Sequence, residues 1–282
     1  DFVDRFNPDY VVILSGDHIY KMDYAAMVAY HEKHKASCTI AVRNVPLAEA
    51  SRFGILNTNP DNTIYEFEEK PAKPKSTNAS MGIYCFNWQV LRDALIADEE
   101  NPNSANDFGK NIIPSLLADG HKMMAYPFDG YWKDVGTIDS LWEANMELLG
   151  KEPAFQLRGN KRSTIYARNS ALPSSYIDTK AVISDSFVAE GCQVYGTVKH
   201  SVISVGCTIG EGAQIEDAVV MPGVVIEAGA IVRNAILGED SRIGRNAVVG
   251  GAFAPKEKKR ISVTSKGAVL EVNAVLKPGD ML

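Results

Sequence analysis

The sequence predicts an α/β domain over residues 1–150, with a mixed, mostly parallel sheet covered by helices, followed by a parallel β-helix over residues 151–282. Three observations lead there. Strand and helix signals alternate as far as Leu149, a six-residue spacing of aliphatic side chains takes over later in the chain, and a short polar connector, Gly150-Lys151-Glu152-Pro153, lies between the two patterns.

In chain order, Val11 to Leu14 form a β-favouring apolar run that ends in Ser15-Gly16-Asp17. A buried parallel strand delivers a carboxylate to its carboxyl edge in this way, and that edge is where ligands bind in open α/β sheets. Asp17 is therefore the first candidate functional residue, with a turn former or helix cap as the alternative. Asp23 is placed to cap a helix whose Tyr24, Met27, Val28 and His31 form one stripe, His31 at its edge. Cys38 to Val42 read as a strand. Phe53 to Leu56 and Thr63 to Phe67 form a hairpin about the turn residues Asn59-Pro60-Asp61-Asn62. A strand at Met81 to Phe86, a helix from Trp88 to Ala97, an Asn-rich loop at 101–106 and a helix around Asp107 to Ala118 follow. Two strands come next, Met123 to Pro127 and Tyr131 to Val135. Thr137 then caps a helix carrying Ile138, Leu141, Trp142 and Leu148 on one side.

Beyond the connector, Val182, Val188 and Val194 form one six-residue series and Ile203, Ile209 and Ile215 a second. Ile226 and Val232 form a third, and Leu237, Ile243 and Val249 a fourth. Small or turn-forming residues follow the aliphatics, as in Ile209-Gly210-Glu211-Gly212-Ala213. A β-sandwich would alternate at period two with strands of varied length. The hexapeptide pattern instead predicts coils of three short strands whose aliphatics stack inward, so that each coil buries its face only against its neighbours.

Composition narrows the partners. With 45% hydrophobic and 23% charged residues the chain is globular, and a net charge of -6 gives no electrostatic reason to expect nucleic acid or an anionic membrane. No apolar run approaches the ~18 residues of a membrane helix, and no basic-apolar signal segment is present. Cys38, Cys85, Cys192 and Cys207 lie far apart in no CxxC arrangement, which argues for free thiols and a reducing cytoplasm. The chain opens on Asp1-Phe2-Val3-Asp4-Arg5-Phe6 without a methionine, as though cut within a helix, and is expected to be a fragment.

Four further stretches stand out. Arg52-Phe53-Gly54-Ile55-Leu56 places a glycine in a strand, either for close approach of a ligand or as a bulge. Glu68-Glu69-Lys70-Pro71 clusters three charges at a strand end, where a solvated charge run is the alternative. Ser80-Met81-Gly82-Ile83-Tyr84 opens a strand with a hydroxyl and a glycine. Tyr131-Trp132-Lys133-Asp134-Val135-Gly136-Thr137 ends one with a second carboxylate.

In their order, and followed by the hexapeptide region, these motifs and Ser15-Gly16-Asp17-His18-Ile19-Tyr20-Lys21 resemble those of the sugar-nucleotide pyrophosphorylases, in the branch that makes ADP-glucose. The resemblance spans essentially the whole chain. It implies a partial Rossmann-like nucleotidyltransferase domain and a left-handed β-helix, and a reaction of ATP with glucose 1-phosphate that yields ADP-glucose and pyrophosphate for glycogen synthesis. It implies Mg2+ held by Asp17 and Asp134, Lys70 on the sugar phosphate, Glu69 on the sugar hydroxyls, and Gly54, Ser80 and Trp132 lining the sugar site. A homotetramer, or a heterotetramer with a related subunit, and a phosphorylated sugar effector are also implied. The family's glycine-rich ATP loop is missing ahead of Asp1, so the chain by itself is expected to be inactive. Two rivals are a non-catalytic regulatory subunit, against which Asp17, Lys70 and Asp134 speak, and a hexapeptide acyltransferase, for which His200 is the sole histidine in the repeat region. Lys256-Glu257-Lys258-Lys259-Arg260, with Arg242 and Arg245, could bind an anionic effector; a solvated loop is the favoured reading.

Overall fold

A computed structural model describes residues 2–157, 165–167, 169–253 and 259–282. They fall into two compact units, Asp1–Trp132 and Lys133–Leu282. The elements of the first are β1 (Tyr10–Ile13), β2 (His18–Tyr20), α1 (Tyr24–His34), β3 (Cys38–Asn44), α2 (Leu47–Ala50), β4 (Gly54–Thr58), β5 (Ile64–Glu69) and β6 (Asn78–Asn87). Then come α3 (Trp88–Glu99), a π-helical turn at Phe108–Ile112, α4 (Ile113–Ala118) and β7 (Met123–Pro127). β8 (Trp132–Asp134) runs across the division, and α5 (Ile138–Met146) lies wholly in the second unit.

The sheet of the first unit has the order β5-β4-β6-β3-β7, with β1 also on β6. It is mixed. β3 and β7 are parallel, whereas β1–β6, β3–β6, β4–β5 and β4–β6 are antiparallel. The parallel strands of the chain lie chiefly in the second unit. β1, expected as a buried parallel strand, is half-buried and antiparallel, because β6 is long enough to seat two strands in succession along one edge. Ile55 of β4 faces Ala79, and Ile13 to Tyr10 of β1 face Tyr84 to Asn87. At the handover Gly82 adopts φ +65°, and the β3 register shifts between Ile40 and Val42. This bulge bends the strand. A side chain at Gly82 would also press on Ser15, 3.2 Å from its Cβ.

Helix α1 starts where the sequence places it. Asp23 accepts from the Ala25 and Ala26 amides at 3.0 and 3.2 Å, a cap worth ~1 kcal/mol. Its inner side buries Met27 fully against Ala41, Met81, Ile83 and Cys85. His31 is not merely the stripe's edge. It is 1% exposed, with Nδ1 2.8 Å from Thr39 Oγ1 and Nε2 3.0 Å from Asn87 Oδ1, tying α1 to β3 and β6. The amide oxygen can only accept, so the proton sits on Nε2 and the Thr39 hydroxyl donates to Nδ1.

The second unit is a stack of parallel coils. Three inward columns run through it: Val194, Ile209, Ile226, Ile243 and Leu270; Val198, Ile215, Val232, Val249 and Leu276; Ile203, Val220, Leu237 and Thr264. These aliphatics form one buried cluster. Successive rungs are 17 residues apart from Ile209 to Ile226 to Ile243, not a strict 18, which accounts for the slips of phase between the sequence series. The interval from Ile243 to Leu270 is 27, because an insertion separates these two coils.

One face of this stack is apolar on its outside as well. Val202, Val219, Ile236 and Val263 stand in register beside the third column but point outward, where Trp142, Met146 and Leu149 cover them. Trp142 also donates from Nε1 to the Asp217 carbonyl at 2.8 Å. Because α5 buries its apolar side here, the division of packing falls at Trp132/Lys133, ahead of the change of sequence pattern at Gly150. Among the described residues no helix is long and apolar enough to cross a membrane.

Candidate active site

The predicted residues of the first unit form a continuous circuit. Gly54 begins β4 and faces Glu69 at the end of β5. A Cβ at Gly54 would lie 3.1 Å from Glu69 Oε2, and one at Gly109 would collide with the same oxygen. The carboxylate therefore occupies a slot that Gly109 leaves open and Gly54 borders, a Cβ at Gly54 meeting the Phe67 ring first, at 2.5 Å. Lys70 follows in the left-handed region at φ +47°, uncommon for a residue with a Cβ, and its amide bonds the Phe53 carbonyl at 3.2 Å. This turn leaves the Lys70 side chain 66% exposed, with Nζ 3.7 Å from Glu69 Oε1.

From Phe53 the circuit passes to Trp132, whose ring lies 5.2 Å from that of Phe53 and 5.4 Å, edge-on, from that of His18. His18 Nδ1 is 2.8 Å from the Met81 carbonyl, and Trp132 Nε1 is 3.3 Å from the same nitrogen. A carbonyl only accepts, so the shorter contact places the proton on Nδ1 and turns Nε2 toward Asp17 Oδ1 at 3.6 Å. Past the Gly82 bulge comes Ser80, 8% exposed, whose Oγ accepts from the Gly82 amide at 3.3 Å. Ser80 also bonds Tyr84. Burial pushes the Tyr84 hydroxyl up to about 12, the Ser80 bond opposes this, and the nearby Glu69 and Asp107 carboxylates add to it. The phenol stays protonated and can donate. Its ring stacks on Phe108 at 5.6 Å and 10°.

Asp134 belongs to the second unit, where its Oδ1 accepts from the Gly136 amide at 2.8 Å. Asp17 Oδ1 accepts from Ser15 Oγ at 2.8 Å. The other oxygen of each aspartate has no protein hydrogen bond among the described residues. Such hard oxygen donors suit a hard divalent cation.

Tyr84 lay within the Ser80–Tyr84 stretch without a role of its own, and Asp107 and Gly109 were not singled out as site residues in the sequence. The stretch Asp107-Phe108-Gly109-Lys110-Asn111 carried a signal, a glycine and an acid at a helix start, but it reads equally as an ordinary capped terminus. Asp107 does cap the Lys110 amide at 2.9 Å. A cavity of about 660 Å³ between α3 and α4 is lined by none of the predicted site residues. In the second unit His200 is a corner residue held by Asp217, Nδ1 to Oδ1 at 2.7 Å. Of the basic run, 256–258 lie outside the described residues. Lys259 Nζ sits 4.2 Å from the Trp142 ring centroid, and Arg242 is bonded to Glu227, whose carboxyl it holds below the usual range.

With this geometry in view, comparison with known proteins is decisive. Residues 1–151 match the family described as nucleotidyl transferase. The chain belongs to that family. Residues 173–271 match the GlmU-like C-terminal hexapeptide family. Among curated relatives, glucose-1-phosphate adenylyltransferase of Clostridium perfringens is 57% identical over 227 residues, 80% of this chain and 58% of the relative. The protein of the same name from Acetivibrio thermocellus is 47% identical over 279 residues, 99% of this chain and 65% of the relative. That of Bacillus cereus is 50% identical over 249 residues, 88% and 66% respectively. The chain thus spans somewhat less than two thirds of the length of these relatives. Nucleotidyltransferases of this family generally use a divalent metal.

Proposed function

We propose that the protein carrying this sequence transfers the adenylyl group of ATP to glucose 1-phosphate. The sugar phosphate oxygen attacks the α-phosphorus, the bond to the β-phosphate oxygen breaks, and pyrophosphate leaves. The observation that carries the reading is the Glu69 slot: an acceptor beside two glycines, next to an exposed cation at Lys70 and a half-buried phenol donor at Tyr84.

Each residue then has a role. Lys70 pairs with the phosphate of glucose 1-phosphate, for which a compact charge on a flexible stem suffices. Glu69 accepts from sugar hydroxyls, Ser80 lines the sugar site, Gly54 leaves room for the ring and Trp132 walls it. Asp17 and Asp134 hold Mg2+, which when bound offsets the charge gathering on the leaving group. Trp132 and Asp134 are two apart in β8 and so project to the same face of the strand.

Pyrophosphate release by the protein as its gene encodes it tests the reading. ATP with glucose 1-phosphate should give turnover well above that with UTP, GTP or dTTP. Equal use of another nucleotide, or no release with any, would contradict it.

A further inference from the structure

The neighbour of Asp134 in β8 is Lys133, a basic side chain only 19% exposed. Its Nζ lies 2.6 Å from Glu147 Oε1 and 3.0 Å from Glu143 Oε2, two carboxylates one turn apart at the end of α5. Without a cation between them, like charges at this spacing repel. Successive strand residues point to opposite faces, so gripping Lys133 from behind fixes the direction in which Asp134 projects. The same helix is tied in at its start, where Thr137 and Ser140 exchange amide-to-hydroxyl bonds at 3.2 Å, and the Gly136 amide returns to Asp134. Its other side is seated on the β-helix through Trp142, Met146 and Leu149, and Lys259 from the coil insertion covers the Trp142 ring.

We infer that Lys133, clamped by Glu143 and Glu147, is a positioning residue that orients Asp134 for the divalent cation, with α5 as the strut that anchors it to the β-helix. This rests on the reading of Asp134 as a metal ligand. An outer partner that merely aims a ligand typically costs 10–100-fold in metal affinity when removed. The clamp also explains why α5 packs with the β-helix while its sequence lies inside the nucleotidyl transferase match.

Titration of Mn2+ followed by electron paramagnetic resonance, without substrates and on the complete protein, reads the effect apart from turnover. Lys133→Met and the double change Glu143→Gln with Glu147→Gln should each weaken Mn2+ binding by about 10-fold or more, and Lys133→Arg should restore most of it. In turnover the Mg2+ requirement should rise while KM for glucose 1-phosphate stays unchanged. Trp142→Phe removes the bond to Asp217 and part of the ring that packs on the β-helix, and should give a smaller loss of the same kind. Asp134→Asn is the reference. If it abolishes Mn2+ binding while Lys133→Met binds as tightly as the parent, the clamp is refuted and the metal assignment stands. If Asp134→Asn leaves Mn2+ binding unchanged, the metal assignment fails and the inference with it. Should Lys133→Met not fold, Lys133→Arg against Glu147→Gln makes the same comparison.

Discussion

The two units bury aliphatic side chains by opposite means. In the β-helix every inward position recurs in the next coil, so Ile209, Ile226 and Ile243 are near-equivalent and the backbone repeats with little variation. In the first unit the sheet is repeatedly interrupted: Gly82 bulges, Lys70 turns through positive φ, and Gly54 and Gly109 leave a slot. The polar side chains assigned to the substrate gather at these irregularities. Local strain is tolerated where the surrounding structure over-determines it, and such places mark sites more often than regular ones do. The β-helix has one large irregularity of its own, the insertion that lengthens a coil interval to 27 residues, and from it comes Lys259.

Substitutions can sharpen or break this contrast. The largest effect is expected at the carboxylates: Asp17→Asn or Asp134→Asn should lower turnover by about 10³-fold, with circular dichroism and Tm unchanged. A Tm that collapses with activity would make these residues structural. Next, Ile226→Ala in the first column should destabilise by about 2–5 kcal/mol, measured by denaturant unfolding, and leave glucose 1-phosphate affinity untouched. A change of affinity with little loss of stability would reverse the roles given to the two units. Gly82→Ala forces a side chain into positive φ against Ser15, and should cost about 1–2 kcal/mol while weakening Mn2+ binding through the Asp17 turn. No effect on either would show that the bulge is incidental.

The smallest effect concerns His31, where burial lowers the imidazole below its ordinary value, opposed by the bond to Asn87. The unfolded chain then takes up a proton at a higher pH than the folded one. This stabilisation is complete above the unfolded value of about 6.5 and is lost as pH falls from there toward the folded value. Unfolding measured across pH 7 to 5 should show that loss, and His31→Gln should flatten it. An unchanged slope would remove His31 as its source.

Much of this was legible in the residues. The aliphatic spacing revealed the β-helix because each coil repeats one physical requirement, and Asp23 and Thr137 announced their helices because capping is local. What stayed hidden depended on partners far along the chain. Gly109 matters through Glu69, forty residues earlier in sequence. His31 read as a stripe edge because Thr39 and Asn87 could not be placed beside it. β1 read as parallel because an apolar run looks alike in either direction. That α5 belongs with the β-helix did leave a trace: Ala218-Val219-Val220-Met221 and Ala235-Ile236-Leu237 are continuous apolar runs rather than alternating ones, as expected of strands buried on both faces.

The proposed function depends most on a glucose 1-phosphate site in the first unit, built on Glu69 and Lys70. Calorimetric titration of glucose 1-phosphate tests it without requiring turnover. Binding should be saturable, fall by at least about 10-fold in Lys70→Met, as for loss of a charge-assisted bond, fall again in Glu69→Gln, and be far weaker for glucose lacking the phosphate. Affinity that is the same in both variants, or the same for glucose, would contradict it.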